Sequence, residues 1–337
     1  MVTILYPLHL SVLIFRNDKV ADDIKNLAIS VTTIACSIKF MSFAVNLKKM
    51  LEIEKILDKL DARITSTEEH YFYHNKLNKK LKIIIKTFAL VYAAVALTAE
   101  MTAVIGQERI LLYPGWFPFD WKTSNVKYLL AHSYQFVGIC IAIAQNYANE
   151  TIPVILLCLL TVHIKLLAIR ISKCCDSSDN LRENEREFLC CIQDQINLYK
   201  LCDLLEELIA FPMFVQITVS AVNICVAMAA LLFYLNDYFN RVYYFVYICA
   251  MILQIFPTCY FSTDFQLMFD KLPYAAFSSK WFDQTEKYKK HMILFTERAL
   301  MKRPILAGRI LQLDLNTYIA ACKATYSLFA VFLKLKG

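Results

Sequence analysis

One long apolar stretch decides the fold. Residues 128–171 have the sequence YLLAHSYQFVGICIAIAQNYANETIPVILLCLLTVHIKLLAIRI, and Asn146, Asn149 and Glu150 interrupt it near the middle. A membrane-spanning helix needs about 20 apolar residues. The stretch therefore forms either two spans with a turn at Asn149 to Pro153, or one helix of ~65 Å that crosses the membrane and projects beyond it. No glycine lies near Asn149 and five residues make a very tight hairpin, so we predict one long helix.

The same type of apolar block recurs along the chain. Val2–Phe15 is too short for a complete span, which leaves two interpretations: an interfacial segment, or the end of a first span whose upstream part is missing. We expect the second interpretation, which implies that the chain is shortened before Met1. The sequence then predicts an all-α, polytopic membrane helical bundle with seven spans: 1–15 (partial), 27–47, 83–105, 128–171, 208–235, 242–261 and 305–333. The connecting segments are 48–82, 106–127, 172–207 and 264–304.

Composition supports this fold class. Of the 337 residues, 58% are hydrophobic and 19% are charged, and the mean hydropathy is +0.44. Soluble domains usually carry about 25% charged residues. The 5 glycines and 8 prolines are too few for a protein of strands and turns. The net charge of +7 does not indicate nucleic acid binding, because the basic residues lie between apolar blocks rather than on one face with spaced aromatics.

The distribution of basic residues predicts the orientation. Segments 48–82, 165–200 and 264–303 together carry 23 Lys and Arg residues, against 9 in the segments on the other side. Cytoplasmic loops carry the excess of Lys and Arg in membrane proteins. We therefore predict a cytoplasmic N-terminus and an extracellular C-terminus. This is the reverse of a G-protein-coupled receptor, and the Asp-Arg-Tyr and Asn-Pro-x-x-Tyr motifs of that class are absent.

No catalytic, cofactor or metal site is predicted. The sequence has no G-x-x-x-x-G-K, G-x-S-x-G or H-E-x-x-H motif. His70 and His74 are four residues apart, but no further ligands accompany them, and a solvated helix face is the expected environment. Most of the 12 cysteines lie inside apolar blocks, where they pack as small hydrophobic residues.

Two short motifs stand out in the last third of the chain. Leu272-Pro273 is followed by Ala276, Ser278-Ser279 and Trp281, and the final span contains Lys323-Ala324-Thr325-Tyr326-Ser327. These motifs resemble the L-P-x-x-A-x-x-S-x-x-W region and the K-x-x-Y-S signature of the insect odorant receptor family. Weaker similarity extends over the whole chain. Family members usually carry some tens of residues before the point that corresponds to Met1.

The resemblance implies a ligand-gated, non-selective cation channel for olfactory transduction. In such a channel a tuning subunit joins an obligatory co-receptor subunit in a heterotetramer, within the plasma membrane of olfactory sensory neuron dendrites. The final span of each subunit lines the pore, and cytoplasmic helices form an anchor between subunits, here within 264–304. The apolar stripes at Leu51–Ile64, Phe188–Leu208 and Met292–Leu300 fit such an assembly, with packing inside one chain as the alternative. The ligand is a small volatile odorant bound in the outer half of the bundle.

These implications select candidate site residues. Ligand pockets are mostly apolar with a few placed polar groups. We expect the ligand-binding residues to include Thr98, Met101, Thr102, Tyr134, Phe136, Tyr244 and Tyr247. We expect the pore-lining residues of the final span to include Thr317, Ala320, Ala321 and Ala324.

Two other function classes are compatible with a helical membrane bundle. The related gustatory receptors end in T-Y-x-x-x-x-x-Q-F, whereas Thr325-Tyr326 is not followed by Gln-Phe here. A gustatory-type chemoreceptor channel is therefore the second interpretation. A secondary transporter is the third, because transporters often contain paired repeats with Gly- or Pro-broken spans, and neither feature is visible in this sequence.

Overall fold

The computed structural model describes residues 6–7, 10, 20–104, 111–113, 117, 119–121, 123–175, 180–234, 238–301 and 303–336. Most of this part of the chain is helical. The helices are α1 (Val20–Val45), α2 (Leu47–Asp61), α3 (Thr67–Tyr71), α4 (Asn78–Val104), α5 (Asn125–Lys173), α6 (Leu181–Ala229), α7 (Tyr238–Phe269), α8 (Leu272–Phe277), α9 (Glu286–Ala299) and α10 (Leu315–Lys336). Two π-helical turns (Phe72–Leu77 and Ala230–Tyr234), a 3-10 turn (Trp281–Asp283) and two short strands, β1 (Leu306–Ala307) and β2 (Leu311–Gln312), complete the described elements.

The helix boundaries outside the apolar blocks follow ordinary capping chemistry. The side chains of Ser66, Asn180 and Thr285 each accept a hydrogen bond from a backbone N–H in the first turn of α3, α6 and α9. Such caps satisfy N–H groups that have no partner within the helix. The long helices α5, α6 and α7 each contain an internal proline, at 153, 212 and 257. Membrane helices tolerate internal proline because neighbouring helices satisfy the freed carbonyl groups.

Helix α5 is the central element. It is continuous over 49 residues, which corresponds to the single-helix alternative for residues 128–171. It packs against α1, α4, α6, α7 and α8. From Asn149 onward most of its side chains are buried, including Leu157, Leu160 and Ile164. The main hydrophobic core surrounds this second half of α5.

The fold is a helical membrane bundle. Five helices of the described part are long and apolar enough to cross a membrane: Leu27–Val45, Thr67–Thr98, Asn125–Lys173, Leu181–Phe233 and Tyr238–Phe277. Helix α10 is not among these five, and the segment 1–15 is described only at Tyr6, Pro7 and Leu10. The count of seven spans and the orientation of the termini therefore stay predictions.

The predicted start of the last helix at Ile305 is wrong. Residues 306–312 form an antiparallel hairpin in which Leu306 pairs with Gln312. Its three-residue loop, 308–310, contains Gly308 at φ 59° and Arg309 at φ 61°, both in the left-handed backbone region that glycine adopts without strain. Helix α10 begins only at Leu315, after the side chain of Asp314 accepts a hydrogen bond of 2.7 Å from the N–H of Thr317. The residues between 305 and 313 are as apolar as a membrane-spanning helix. However, Ile305, Ala307 and Leu313 are buried in the main core as part of the hairpin and its flanks, not of a helix.

Candidate ligand pocket and buried polar network

A cavity of ~120 Å³ lies between α1, α4, α5 and α7. It lies towards the helix ends that the basic residues predict to be extracellular. Small side chains, including Ala96, Ala142 and Ala250, leave space among larger ones. The lining residues are Ile29, Thr32, Thr33, Cys36, Val91, Tyr92, Val95, Ala96, Ile139, Ala142, Ile143, Asn146, Tyr243, Tyr247, Ala250, Met251 and Gln254. A mostly apolar wall with a few polar groups is typical of small-molecule sites.

One wall of the cavity carries a small cluster of hydroxyl groups. The Thr32 hydroxyl donates to the carbonyl oxygen of Ala28 at 2.8 Å. The side-chain amide of Asn223 donates to the same Thr32 oxygen at 2.8 Å, and the Tyr247 hydroxyl lies 3.1 Å from it. These bonds join α1, α6 and α7 beside the cavity.

An ion pair lies at the inner end of the cavity. The ammonium of Lys39 on α1 is 2.5 Å from Oε1 of Glu150 on α5, and both side chains are only 1% exposed. Two amide oxygens complete the surroundings of the ammonium: Asn146 Oδ1 at 2.9 Å and Gln216 Oε1 at 2.5 Å. A buried charge is costly unless it is paired and hydrogen bonded, so this arrangement explains how Lys39 is accommodated in an apolar helix.

Hydrogen bonds extend from the ion pair to the cavity surface. The amide nitrogen of Gln216 donates to Gln254 Oε1 at 3.1 Å and to Ser220. The amide nitrogens of Gln254 and Asn146 both donate to the Tyr92 hydroxyl at 2.8 Å. Tyr92, Asn146 and Gln254 line the cavity. We call Lys39, Tyr92, Asn146, Glu150, Gln216, Ser220 and Gln254 the polar network; it connects α1, α4, α5, α6 and α7.

A second cavity adjoins the first on the outside of the bundle. It measures ~330 Å³ and lies between α4 and α7. Val91 and Gln254 line both spaces, and the other lining residues are mainly apolar and aromatic, among them Phe88 and Tyr260. The bundle thus has an apolar crevice on the surface that runs up to the wall of the inner cavity.

The residues predicted to bind the ligand are distributed over several environments. Tyr247 lines the cavity, and Tyr244 is buried in the adjoining core of α6 and α7. Thr98 is half-buried and its hydroxyl donates to the Ala94 carbonyl of its own helix. Met101, Tyr134 and Phe136 are exposed by 45–50% on the bundle surface. The Thr102 side chain lies outside the described part of the structure.

The cavity also contains residues that the sequence did not single out. Tyr92 and Gln254 lie within apolar blocks, and no motif distinguishes them from other polar residues of membrane helices. Lys39 and Glu150 were visible as charged residues within spans. An intramembrane charge implies a partner of opposite charge. A pairing of Lys39 with Glu150 therefore predicts contact between α1 and α5.

The residues predicted to line the pore lie on one face of α10, as their spacing requires. Ala320 and Ala324 are exposed, whereas Thr317 and Ala321 are half-buried. Helix α10 packs against α6 and α7, so the exposed alanines face away from the subunit. The structure contains one chain, and no contact to this face is described.

The inner part of the bundle is connected by a second set of charges. The Arg170 guanidinium lies 2.8 Å from Glu69 and 3.1 Å from Asp194, and all three side chains are nearly buried. Arg63 contacts Glu187 at 2.7 Å and Asp194 at 3.3 Å. These ion pairs attach the segment around α2 and α3 to α5 and α6.

Asp61 belongs to the same region. Burial acts to raise the pKa of this carboxyl group, but the neighbouring groups outweigh that effect and hold the pKa below its usual value. His163 Nε2 lies 3.2 Å from Oδ1 of Asp61, and the Tyr73 hydroxyl donates to Oδ2 at 2.9 Å. Both contacts favour the charged carboxylate. No group of His, Cys, Asp and Glu within the described residues is arranged to hold a metal ion.

Fold and cavity together define a polytopic helical membrane protein with a small, mainly apolar cavity inside the bundle. Comparison with known proteins identifies the class further. A family model described as 7tm Odorant receptor matches residues 19–326. The chain belongs to the odorant receptor family.

Individual relatives agree with this assignment. Odorant receptor 59a of Drosophila melanogaster is 36% identical over 354 residues, which cover 100% of this chain and 88% of the relative. Odorant receptor 23a of the same organism is 35% identical and covers 91% of this chain and 80% of the relative. Both matches extend over more than nine tenths of this chain. The similarity therefore concerns the whole bundle rather than one motif.

A solved structure has the same fold. The insect olfactory receptor OR5 from Machilis hrabei aligns with a TM-score of 0.87 at 14% identity, over 99% of this chain and 87% of that chain. Its complex with eugenol aligns with a TM-score of 0.85 at 15% identity. At these identities the similarity concerns the fold alone.

Proposed function

We propose that this chain is an odorant-binding subunit of a ligand-gated, non-selective cation channel. The cavity between α1, α4, α5 and α7 carries the proposal, because it lies between four helices of the bundle, is mainly apolar and is close in size to a small volatile molecule. For scale, an apolar cavity of about 150 Å³ accommodates benzene. A small volatile odorant is therefore the ligand class that the site fits.

The channel part of the proposal concerns assembly. Helix α10 presents an exposed face that contains Ala320 and Ala324, and small residues allow close approach of neighbouring helices or leave room for a conduction path. The partner in this proposal is the obligatory co-receptor subunit, in a heterotetramer held together by the inner helices. The site of action is the plasma membrane of olfactory sensory neuron dendrites.

The first experiment tests the function as a whole. Cells that express the chain with and without the insect co-receptor are exposed to a broad panel of volatiles while membrane current is recorded. We expect volatile-evoked cation current only in cells that contain both subunits. Absence of current with every volatile, while surface labelling detects both subunits, contradicts the proposal.

The second experiment tests whether the cavity is the ligand site. Ala142→Leu adds three carbon atoms to the cavity wall, and we expect the response to the best agonist to fall by more than about tenfold in potency. Ala144→Leu is the matched control, because Ala144 lies two residues further along α5 and is exposed. Equal potency of both variants, with equal surface delivery, contradicts the assignment of the ligand site.

The third experiment tests the pore face. Ala320→Glu places a carboxylate in each copy of this subunit on the exposed side of α10, and rings of acidic side chains change cation permeability. We expect a shift in the reversal potential under asymmetric cation solutions. Tyr326→Glu is the control, since Tyr326 is exposed on a different side of the same helix. A shift for Tyr326→Glu and none for Ala320→Glu contradicts the predicted pore face.

Membership in the odorant receptor family favours this function over the two other classes weighed from the sequence. A gustatory-type channel differs in its ligands rather than its architecture. Comparing the currents evoked by the volatile panel with those evoked by soluble tastants therefore separates the two functions. A secondary transporter predicts saturable uptake of the ligand rather than a cation current.

A further inference from the structure

We propose that the Tyr92 hydroxyl is the specificity-determining group of the cavity, and that it selects small apolar molecules bearing a hydrogen-bond acceptor, such as a carbonyl oxygen. The inference deepens the function proposed above and rests on it. It follows from the direction of every hydrogen bond between Lys39 and Tyr92.

The first step is the orientation of two side-chain amides. An ammonium group has three donors and no acceptor. Its neighbours in the polar network, Asn146 at 2.9 Å and Gln216 at 2.5 Å, must therefore present their carbonyl oxygens to Lys39. The NH₂ groups of both amides then point away from the charge.

The second step carries this orientation to a third amide. The NH₂ group of Gln216 lies 3.1 Å from the side chain of Gln254, so Gln254 presents its oxygen to that donor. Its own NH₂ group is then directed at Tyr92, 2.8 Å away. The orientation of Gln254 is thus set by Lys39, although the two side chains do not touch.

The third step concerns the phenol. Tyr92 receives one hydrogen bond from Gln254 and a second from Asn146, each of 2.8 Å. A phenolic oxygen that accepts two bonds retains its O–H as a donor. No acceptor for this proton occurs among the described residues, and Tyr92 lines the cavity. An acceptor on a bound ligand completes the network.

A second tyrosine of the cavity lining, Tyr247, has the reverse polarity. Thr32 uses its proton to bond the Ala28 carbonyl, so in the contact of 3.1 Å between the two hydroxyls Tyr247 is the donor. The Tyr247 oxygen faces the cavity only as an acceptor. The cavity therefore holds two tyrosines of similar size and opposite hydrogen-bonding character, and each serves as the control for the other.

The chemical consequence is a preference that can be measured with ligands of one shape. Cyclohexanone and cyclohexene have similar six-membered rings, but only the ketone carries an acceptor. One net hydrogen bond corresponds to a potency ratio of about fivefold to tenfold. The ring size agrees with a cavity of ~120 Å³ whose wall is mainly apolar.

The experiment measures both probes on the complete receptor with its co-receptor, as agonists and as competitors of the best agonist from the volatile panel. We expect cyclohexanone to be about fivefold to tenfold more potent than cyclohexene at the wild-type receptor. In Tyr92→Phe we expect the potency ratio of the two probes to fall to about one, whatever change in potency the probes share. In Tyr247→Phe the ratio stays at the wild-type value.

A second variant tests the role of Lys39 while Tyr92 is intact. Lys39→Met combined with Glu150→Leu removes both charges, and replacing a buried ion pair by apolar residues is often neutral for stability. The amides are then free to turn and accept the Tyr92 proton, so the preference for cyclohexanone falls. This variant is informative even where Tyr92→Phe is not delivered to the surface.

The outcomes separate this inference from the proposed function. Failure of every volatile to evoke current contradicts the function itself. A functional receptor at which cyclohexanone is no better than cyclohexene, or at which Tyr92→Phe leaves the ratio unchanged, overturns the inference alone. A changed ratio in Tyr247→Phe with none in Tyr92→Phe also overturns it, because the recognising group is then Tyr247.

Discussion

The two halves of α5 have similar apolar composition and very different surroundings. In the first half, Leu129 and Leu130 are about 60% exposed on the bundle surface. In the second half, Leu157, Leu160 and Ile164 are fully buried. A helix that is apolar on all sides either faces lipid or is enclosed by other protein, and α5 does each in turn. The difference shows that hydropathy identifies the helix without revealing what covers it.

The halves also differ in how tightly the rest of the chain packs around them. The first half borders the cavity, with small residues such as Ala142 on its wall. The second half lies inside the main core, together with α8 and side chains of α6 and α9. The polar network with Lys39 and Glu150 lies at the boundary. A loosely filled region that binds a ligand is thus supported by a densely packed one.

The largest effect is expected at that boundary. Lys39→Met leaves the Glu150 carboxylate buried and without its cation, which costs about 3–5 kcal/mol. We expect a strong fall in the melting temperature of the purified chain in detergent, whereas the variant that also carries Glu150→Leu stays close to wild type. Lys49→Met is the control, because its partner Glu207 is half-exposed. Equal losses in the single and double variants would show that the charges do not act as a pair.

The next effect tests the packing difference along α5 directly. Leu157→Ala opens a cavity in the core and costs about 2–5 kcal/mol. Leu130→Ala removes a side chain that is 59% exposed, and we expect a change within about 0.5 kcal/mol. Thermal unfolding of both variants under the same detergent conditions measures the difference. A similar loss for both would mean that the first half is also enclosed, for instance by another subunit.

An intermediate effect is expected where the first half of α5 meets the N-terminal segment. A Cβ atom added at Gly138 would lie 2.2 Å from the ring of Tyr6. Gly138→Ala therefore requires the tyrosine ring to move, at a cost of about 1–3 kcal/mol. The Tyr6 hydroxyl also hydrogen bonds the Tyr113 hydroxyl, so the loop before α5 is affected as well. In a Tyr6→Ala background, Gly138→Ala should cause little further loss in melting temperature; an equal loss in both backgrounds contradicts the contact.

The smallest effect concerns the charge of Asp61 in the inner region. Its pKa is lowered in the folded chain, so the charged carboxylate stabilises the fold above the pKa of the unfolded chain, near 3.9. That contribution is lost as the pH falls through the lower, folded-state pKa. We expect Asp61→Asn to lose less than about 1 kcal/mol at neutral pH, since the carboxylate is partly exposed. The difference in melting temperature between variant and wild type should disappear in strong acid, and a difference that grows there contradicts the lowered pKa.

Much of the fold could be predicted from the sequence because apolar blocks and basic segments are long-range patterns. The continuity of α5 follows from the absence of a turn residue near Asn149. The hairpin before α10 could not be predicted in the same way, since Ile305, Leu306 and Leu311 are as apolar as the helix that follows. Gly308 was the available signal, because a left-handed turn favours glycine.

The site was less predictable for a physical reason. Lys39 was conspicuous, but its partner Glu150 is more than 100 residues away in sequence, and composition does not reveal which helices adjoin. Tyr134 and Phe136 are aromatic residues of the predicted outer half, yet they face outward on α5 while Ile139 and Ala142 face the cavity. A shift of one or two positions along the helix decides whether a side chain faces outward or towards the cavity. Because both faces of the helix are apolar, the sequence pattern does not reveal which face a residue occupies.

Helix α7 connects the ligand region to the last helix through a short mechanical path. Gln254 belongs to the polar network, and nine residues further on, ~14 Å along the axis, the Thr263 hydroxyl accepts a hydrogen bond of 3.0 Å from the N–H of Leu315, the first residue of α10. The hairpin braces the same place from the other side, because the Gly308 N–H donates to the Ala210 carbonyl of α6 at 2.8 Å. A small rotation of α7 at the cavity would therefore displace the first residue of α10, whereas the hairpin ties the segment before α10 to α6.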